Sequence, residues 1–178
     1  TNSLGHAHPH LVKVLQDQAA KLWHVSNLYN IPEQQRLADR LVANSFADTV
    51  FFCNSGAEAL EGAIKLARKH HYAAGDEKRD GVVACTKAFH GRTLATLSAG
   101  DNEAYRTGFG PRPGGFQHVA FGNMNEMRAA MDDTVAAILV EPVQGEGGIN
   151  VADTDYLNEL RVVADEFGAL LVFDEVQC

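Results

Sequence analysis

Cysteine is scarce in this 178-residue chain: Cys53, Cys85 and Cys178 are odd in number, widely spaced and form no CxxC pair. That argues against a disulfide framework or a cysteine-built zinc site, and makes a reducing cytoplasm the expected compartment. Positive charge is also short, with 15 Lys and Arg against 23 Asp and Glu and a net charge of −8. No clustered basic face is left to neutralise phosphates, so a nucleic-acid partner is not expected. No apolar run reaches the roughly 18 residues of a membrane-spanning helix, so no membrane partner is expected either. What the chain does have is apolar material: 46% hydrophobic against 21% charged residues. That balance predicts a folded domain with a real core.

The apolar positions fall into two periodicities. Helical spacing covers Pro9–Trp23, Glu33–Phe46 and a segment running from Asn54 to about Tyr72. The best helix is Asp153–Phe167, where Tyr156, Leu157, Leu160, Val163, Ala164 and Phe167 form one stripe and Gly168 supplies the stop. Short, nearly continuous apolar runs suit buried strands at Thr49–Cys53, Val82–Cys85, Ala136–Glu141 and Ala169–Phe173, with weaker candidates for a strand at His118–Phe121 and a helix at Asn125–Met131. Gly100–Phe116 reads as a long ordered loop, and Lys69-His70-His71 as a solvated helix end. Strands alternating with helices predict an α/β fold with a mostly parallel sheet and helices on both faces. Residues 1–46 read as an N-terminal helical part leading into a larger domain over 47–178. The sequence starts without Met and stops just past a buried strand, so it reads as a piece of a longer protein.

Ligands in such sheets sit beyond the carboxyl ends of strands. Polar motifs follow four of the expected strands: Asn54-Ser-Gly-Ala, Lys87-Ala-Phe-His-Gly-Arg, Glu141-Pro-Val-Gln-Gly-Glu and Asp174-Glu-Val-Gln. Ser55-Gly56-Ala57 at a helix start offers free amides to a phosphate ester, although Ser55 with Glu58 also makes a plain capping box. No Walker sequence is present, so ATP is not implied. Phe89 could cover a heteroaromatic ring or belong to the core. Arg92 could grip a carboxylate through two parallel hydrogen bonds. Asp174, closing an apolar run, needs a partner, either backbone amides or a protonated ring nitrogen. Glu146 sits in a glycine-flanked loop, where it could meet a substrate or an arginine or stay solvated. The His6, His8, His10 string is interrupted by Pro9 and has no acidic neighbour, so no metal is expected there.

Taken together, these four motifs resemble the class III pyridoxal-phosphate aminotransferases, from Gly5 to Cys178. The resemblance implies the incomplete large domain of a fold-type I enzyme, with pyridoxal 5'-phosphate as cofactor. By that resemblance Ser55, Gly56 and Ala57 hold the phosphate, and Phe89 and Val176 cover the two ring faces. Asp174 pairs with the ring nitrogen, and Gln177, beside Glu175, bonds the phenolic oxygen. Arg92 binds the substrate carboxylate. Glu146 lies near the substrate pocket, and Tyr29, with Ser26, Asn27 and Asn30, faces substrate and partner subunit. The implied partners are an amino-acid donor, 2-oxoglutarate and a second copy of the chain. The implied donor is N2-acetyl-L-ornithine, placing the reaction in arginine biosynthesis, with ornithine, succinylornithine or 4-aminobutyrate as alternatives. A non-catalytic binding scaffold is the other reading. The family's Schiff-base lysine is expected beyond Cys178. The lysines present (Lys13, Lys21, Lys65, Lys69, Lys78, Lys87) match no such motif, so this stretch alone is expected to be inactive.

Overall fold

The computed structural model describes residues 2–178. It comprises two compact units, one ending at Phe52 and the other running Cys53–Cys178. The first holds α1 (Pro9–Ala19) and α2 (Pro32–Ala43). Both helices open on proline, whose fixed φ and missing N–H suit the first helical position. Both are shorter than their apolar spacing suggests. The Trp23 indole N–H donates to the Ala19 carbonyl at 2.9 Å, and the Asn44 side-chain amide donates to the Arg40 carbonyl at 2.8 Å. Each side chain thus satisfies a carbonyl that a further helical turn would have used. Neither helix buries a single residue.

The second unit carries the expected α/β fold. Its elements are α3 (Gly56–Ala73), β1 (Gly81–Cys85), α4 (Leu94–Ala99), α5 (Glu103–Arg106), β2 (Phe116–Val119), α6 (Met124–Ala130), β3 (Val135–Val140), β4 (Val143–Gln144), β5 (Asn150–Val151), α7 (Thr154–Phe167) and β6 (Leu170–Phe173). Four strands form one parallel sheet in the order β2-β1-β3-β6. Side chains alternate across it. Val83 and Cys85 of β1 and Ile138 and Val140 of β3 join Met127 of α6 and Leu160 and Val163 of α7. Val82, Ala84 and Leu139 face the other way, onto Leu60 and Ile64 of α3 and Ala99 of α4. Every β3 side chain is buried, as a central parallel strand requires.

Three expectations need correcting. Thr49–Cys53 is not a strand, because no neighbouring strand pairs with it among the described residues and a lone extended run has no ladder to stabilise it. His71 is not at a solvated helix end. It continues the α3 stripe Leu60, Ile64, Ala67, His71 and is buried, its Nε2 3.1 Å from the Ala136 carbonyl. The Gly100–Phe116 loop contains α5, capped by Asn102, whose side chain accepts from the Ala104 N–H at 3.0 Å.

Sheet topology fixes where a ligand can sit. From β1 the chain crosses to β2 on one side, and from β3 it crosses to β6 on the other. The loops leaving β1 and β3 therefore diverge and open a crevice at the carboxyl ends of these two strands. Leu160 is fully buried at the centre of the α7 packing. Leu160→Ala should cost about 2–5 kcal/mol, read from urea unfolding of the whole protein.

Candidate functional site

The crevice is built from β-strand ends. The loop after β1 carries Phe89, His90, Gly91 and Arg92, the end of β3 passes into Glu141, and the end of β6 into Asp174. Asp174 extends the ladder, its N–H donating to the Val140 carbonyl at 2.9 Å. The pairing that places Phe173 opposite Val140 therefore also fixes the Asp174 carboxylate beyond the sheet edge.

Asp174 is buried and its donors come from the chain itself. His90 Nδ1 lies 2.7 Å from Asp174 Oδ2, and the Val176 N–H donates to Oδ1 at 3.1 Å. The His90 side chain is wholly buried, and its Nε2 has no partner among the described residues. A second buried carboxylate stands behind this pair. Glu141 Oε2 accepts the Phe89 N–H at 3.0 Å, which ties the loop after β1 to the end of β3. Burial pushes the Glu141 carboxyl above its ordinary value, with the Asp174 charge adding to the rise, while the Phe89 N–H and His90 oppose it.

His90 and Asp174 border a cavity of about 300 Å³. Of the residues that the motifs single out, Gly56, Ala57, Phe89, Arg92, Asp174, Val176 and Gln177 line it. Leu60, His90 and Gly91 line it as well. Ser55, Glu175 and Glu146 do not. Ser55 caps α3, accepting the Glu58 N–H at 3.2 Å, and Glu58 folds back to accept the Asn54 N–H at 2.6 Å. Glu175 is exposed beside the cavity residues, and Glu146 is exposed between β4 and β5. Tyr29 lies in the first unit, also exposed.

The start of α3 presents backbone amides to the cavity. The Ala59 N–H is used by the Ser55 carbonyl and the Glu58 N–H by the Ser55 hydroxyl. That leaves the Gly56 and Ala57 amides without partners among the described residues, at the positive end of an 18-residue helix and on the cavity wall. Glycine at 56 is a spatial requirement. A Cβ there would stand 2.7 Å from Val176 Cγ1, so the Val176 side chain would have to shift away from α3. Gly91 has φ +130°, and a Cβ on it would meet Thr96 Oγ1 at 2.8 Å and Ala57 Cβ at 2.9 Å. Arg92 makes no ion pair among the described residues. Its guanidinium lies 4.0 Å from the Tyr105 ring centre and 5.5 Å from that of Phe89.

The cavity thus offers a buried carboxylate, a partly exposed aromatic face, two free amides and a cation. A profile of the family described as Aminotransferase class-III matches residues 1–178. The chain belongs to that family. It is 56% identical to an acetylornithine aminotransferase of Rhodobacter capsulatus over 99% of this chain and 45% of the relative. An acetylornithine aminotransferase of Mesorhizobium japonicum is 57% identical over 99% of this chain and 44% of the relative. Among solved structures, the ornithine aminotransferase of Toxoplasma gondii superposes with a TM-score of 0.90 at 31% identity, covering 96% of this chain and 41% of that one. The N-acetylornithine aminotransferase of Stenotrophomonas maltophilia K279a gives 0.78 at 38% identity, covering 96% and 42%. The chain therefore spans less than half the length of these class III relatives.

His90 and Glu141 are the site residues whose roles the motifs left undefined. A signal existed: a buried Asp174 needs a donor, and an imidazole in the loop after another strand of the same sheet can supply one. The raised Glu141 pKa has a consequence for stability. A carboxyl whose folded value exceeds the ordinary 4.5 contributes stability that is fully present below that value and is lost as pH rises through the folded one. Glutamine at this position does not titrate. Urea unfolding of wild type and Glu141→Gln should show the difference moving in favour of the wild type as pH falls from neutral towards 5. A pH-independent difference would contradict the raised value.

Proposed function

We propose that this chain supplies the main cofactor-binding face of a pyridoxal-phosphate-dependent aminotransferase, and that residues 47–178 form its large domain, with 1–46 leading into it. The observation that carries the reading is the shared cavity, where Asp174, Phe89 and the two free amides of α3 meet around one space. These residues fit the cofactor chemically. A flat heterocycle has an aromatic face to lie on, its phosphate has the Gly56 and Ala57 amides, and a protonated ring nitrogen has the Asp174 carboxylate. When bound, the cofactor supplies an electron sink for a substrate carbanion.

The remaining roles belong to the chain. Asp174 would hold the proton on the ring nitrogen, Gln177 would bond the phenolic oxygen, and Val176 and Phe89 would pack on the ring. The Ser55 hydroxyl, although it accepts from Glu58, keeps a proton to donate to the phosphate. Arg92, held against aromatic rings and without an acidic partner, is free to bind the donor carboxylate. Glu146 and Glu175 act at the rim of the cavity, and Tyr29 of the first unit is the remaining candidate for a substrate contact.

For the donor we favour N2-acetyl-L-ornithine, whose terminal amine passes to 2-oxoglutarate, giving N-acetylglutamate semialdehyde and glutamate in arginine biosynthesis. The names of the relatives that are 56–57% identical over the aligned 177 residues support this choice. Ornithine, succinylornithine and 4-aminobutyrate are the alternative donors, and a homodimer in the cytoplasm is the expected form.

The test uses the whole protein. It should show a visible cofactor absorbance band that borohydride abolishes, and it should transfer the amino group of acetylornithine faster than that of the three alternatives. Arg92→Gln should raise KM for the donor about 10- to 100-fold, the loss expected for one charge-assisted contact. Absence of the borohydride-sensitive band would overturn the cofactor reading. A faster alternative donor would overturn the substrate.

A further inference from the structure

His90 is a puzzle if it only fills space. Its side chain is wholly buried, yet Nε2 finds no partner among the described residues. A buried polar atom without a partner costs free energy, and an apolar side chain of similar size would avoid that cost. The compensating feature is the other nitrogen, Nδ1, at 2.7 Å from Asp174 Oδ2. Without it, Asp174 would keep a single chain donor, the Val176 N–H on Oδ1.

The two donors also fix orientation. Each carboxylate oxygen has two acceptor positions. His90 takes one on Oδ2 and Val176 takes one on Oδ1, so the carboxylate plane is held from both ends. Asp174 lines the cavity, leaving its remaining acceptor positions to a ligand. The other charged groups nearby do not replace this hold. Glu141 is engaged with the Phe89 N–H, Arg92 is stacked on Tyr105, and Glu175 is exposed.

We propose that His90 is a positioning residue whose Nδ1–H locks Asp174 towards the cavity, so that the site selects flat heteroaromatic phosphates carrying a protonated ring nitrogen over otherwise identical rings that lack one. The inference rests on the cofactor reading above, and deepens it by assigning the nitrogen selectivity to a residue that need not touch the ligand. With His90 removed, Oδ2 loses its donor, and the carboxylate held only through Oδ1 can turn away from a ring nitrogen in the cavity.

The measurement is equilibrium binding, by fluorescence titration, of pyridoxal phosphate and of its 1-deaza analogue to the whole protein freed of cofactor. Wild type should prefer pyridoxal phosphate. His90→Leu should bind it about tenfold more weakly and bind the deaza analogue within about twofold of wild type, as expected for loss of one hydrogen bond to a charged group. His90→Phe carries the same expectation should the leucine variant fail to fold. His90→Asn places an amide N–H close to the Nδ1 position and should keep most of the preference. Equal weakening of both ligands in the Leu or Phe variant assigns His90 to packing and overturns the proposal, as does an unchanged preference. A wild type that binds both ligands equally well overturns it while leaving the cofactor reading intact. A wild type that binds neither overturns the cofactor reading itself.

Discussion

Asp174 is a carboxylate at the inner end of a parallel sheet, and removing it from water is tolerable only where donors surround it. Those donors come from two directions: the imidazole of His90, from the loop after β1, and the Val176 N–H, from the chain's own turn after β6. Glu141 extends the network by accepting the Phe89 N–H. Three strand ends are thereby tied into one structure, each holding the next in the position its chemistry needs. Burying Glu141 is not free of cost: burial raises its pKa, and the Asp174 charge adds a smaller rise.

Close approach is the second constraint. The Val176 side chain packs this close to the start of α3 because residue 56 has no Cβ, and the loop after β1 passes Ala57 only because residue 91 has none. A similar contact secures the β4–β5 ribbon, where a Cβ on Gly147 would stand 2.5 Å from the Lys87 carbonyl. Gln144 reinforces it, donating to the Thr86 carbonyl at 2.9 Å and accepting from Asn150 at 3.2 Å. Lys87 itself takes φ +62°, uncommon for a side chain of its size, with its N–H held by Asp101 at 2.8 Å. The glycines of the motifs thus bring separate loops close enough to form one wall.

Family membership and local geometry meet at this wall. The aminotransferase family matches the whole chain, while the chain spans under half of its relatives' length. The portion present holds the acidic, aromatic and amide groups of one cavity. Arg92, stacked on aromatic rings without an acidic partner, is the chain's own contribution to substrate recognition in this reading.

Much of the fold could be read from the residues alone. Helical stripes and continuous apolar runs located α3, α7, β1, β3 and β6, because burying those side chains admits only one periodicity for each segment. His71 was equally legible, lying on the same stripe as Leu60, Ile64 and Ala67, but charge at a helix end suggested otherwise. Thr49–Cys53 was not legible, since a strand depends on a neighbour that local sequence does not contain. The sequence by itself determined which chemical groups stand at the strand ends and that Asp174 would need a partner. Only the tertiary structure decided that the partner within the chain is His90, 84 positions earlier. The strand order β2-β1-β3-β6 decided it, by bringing the loop after β1 to the end of β6, and pairing order is a property of the assembled sheet.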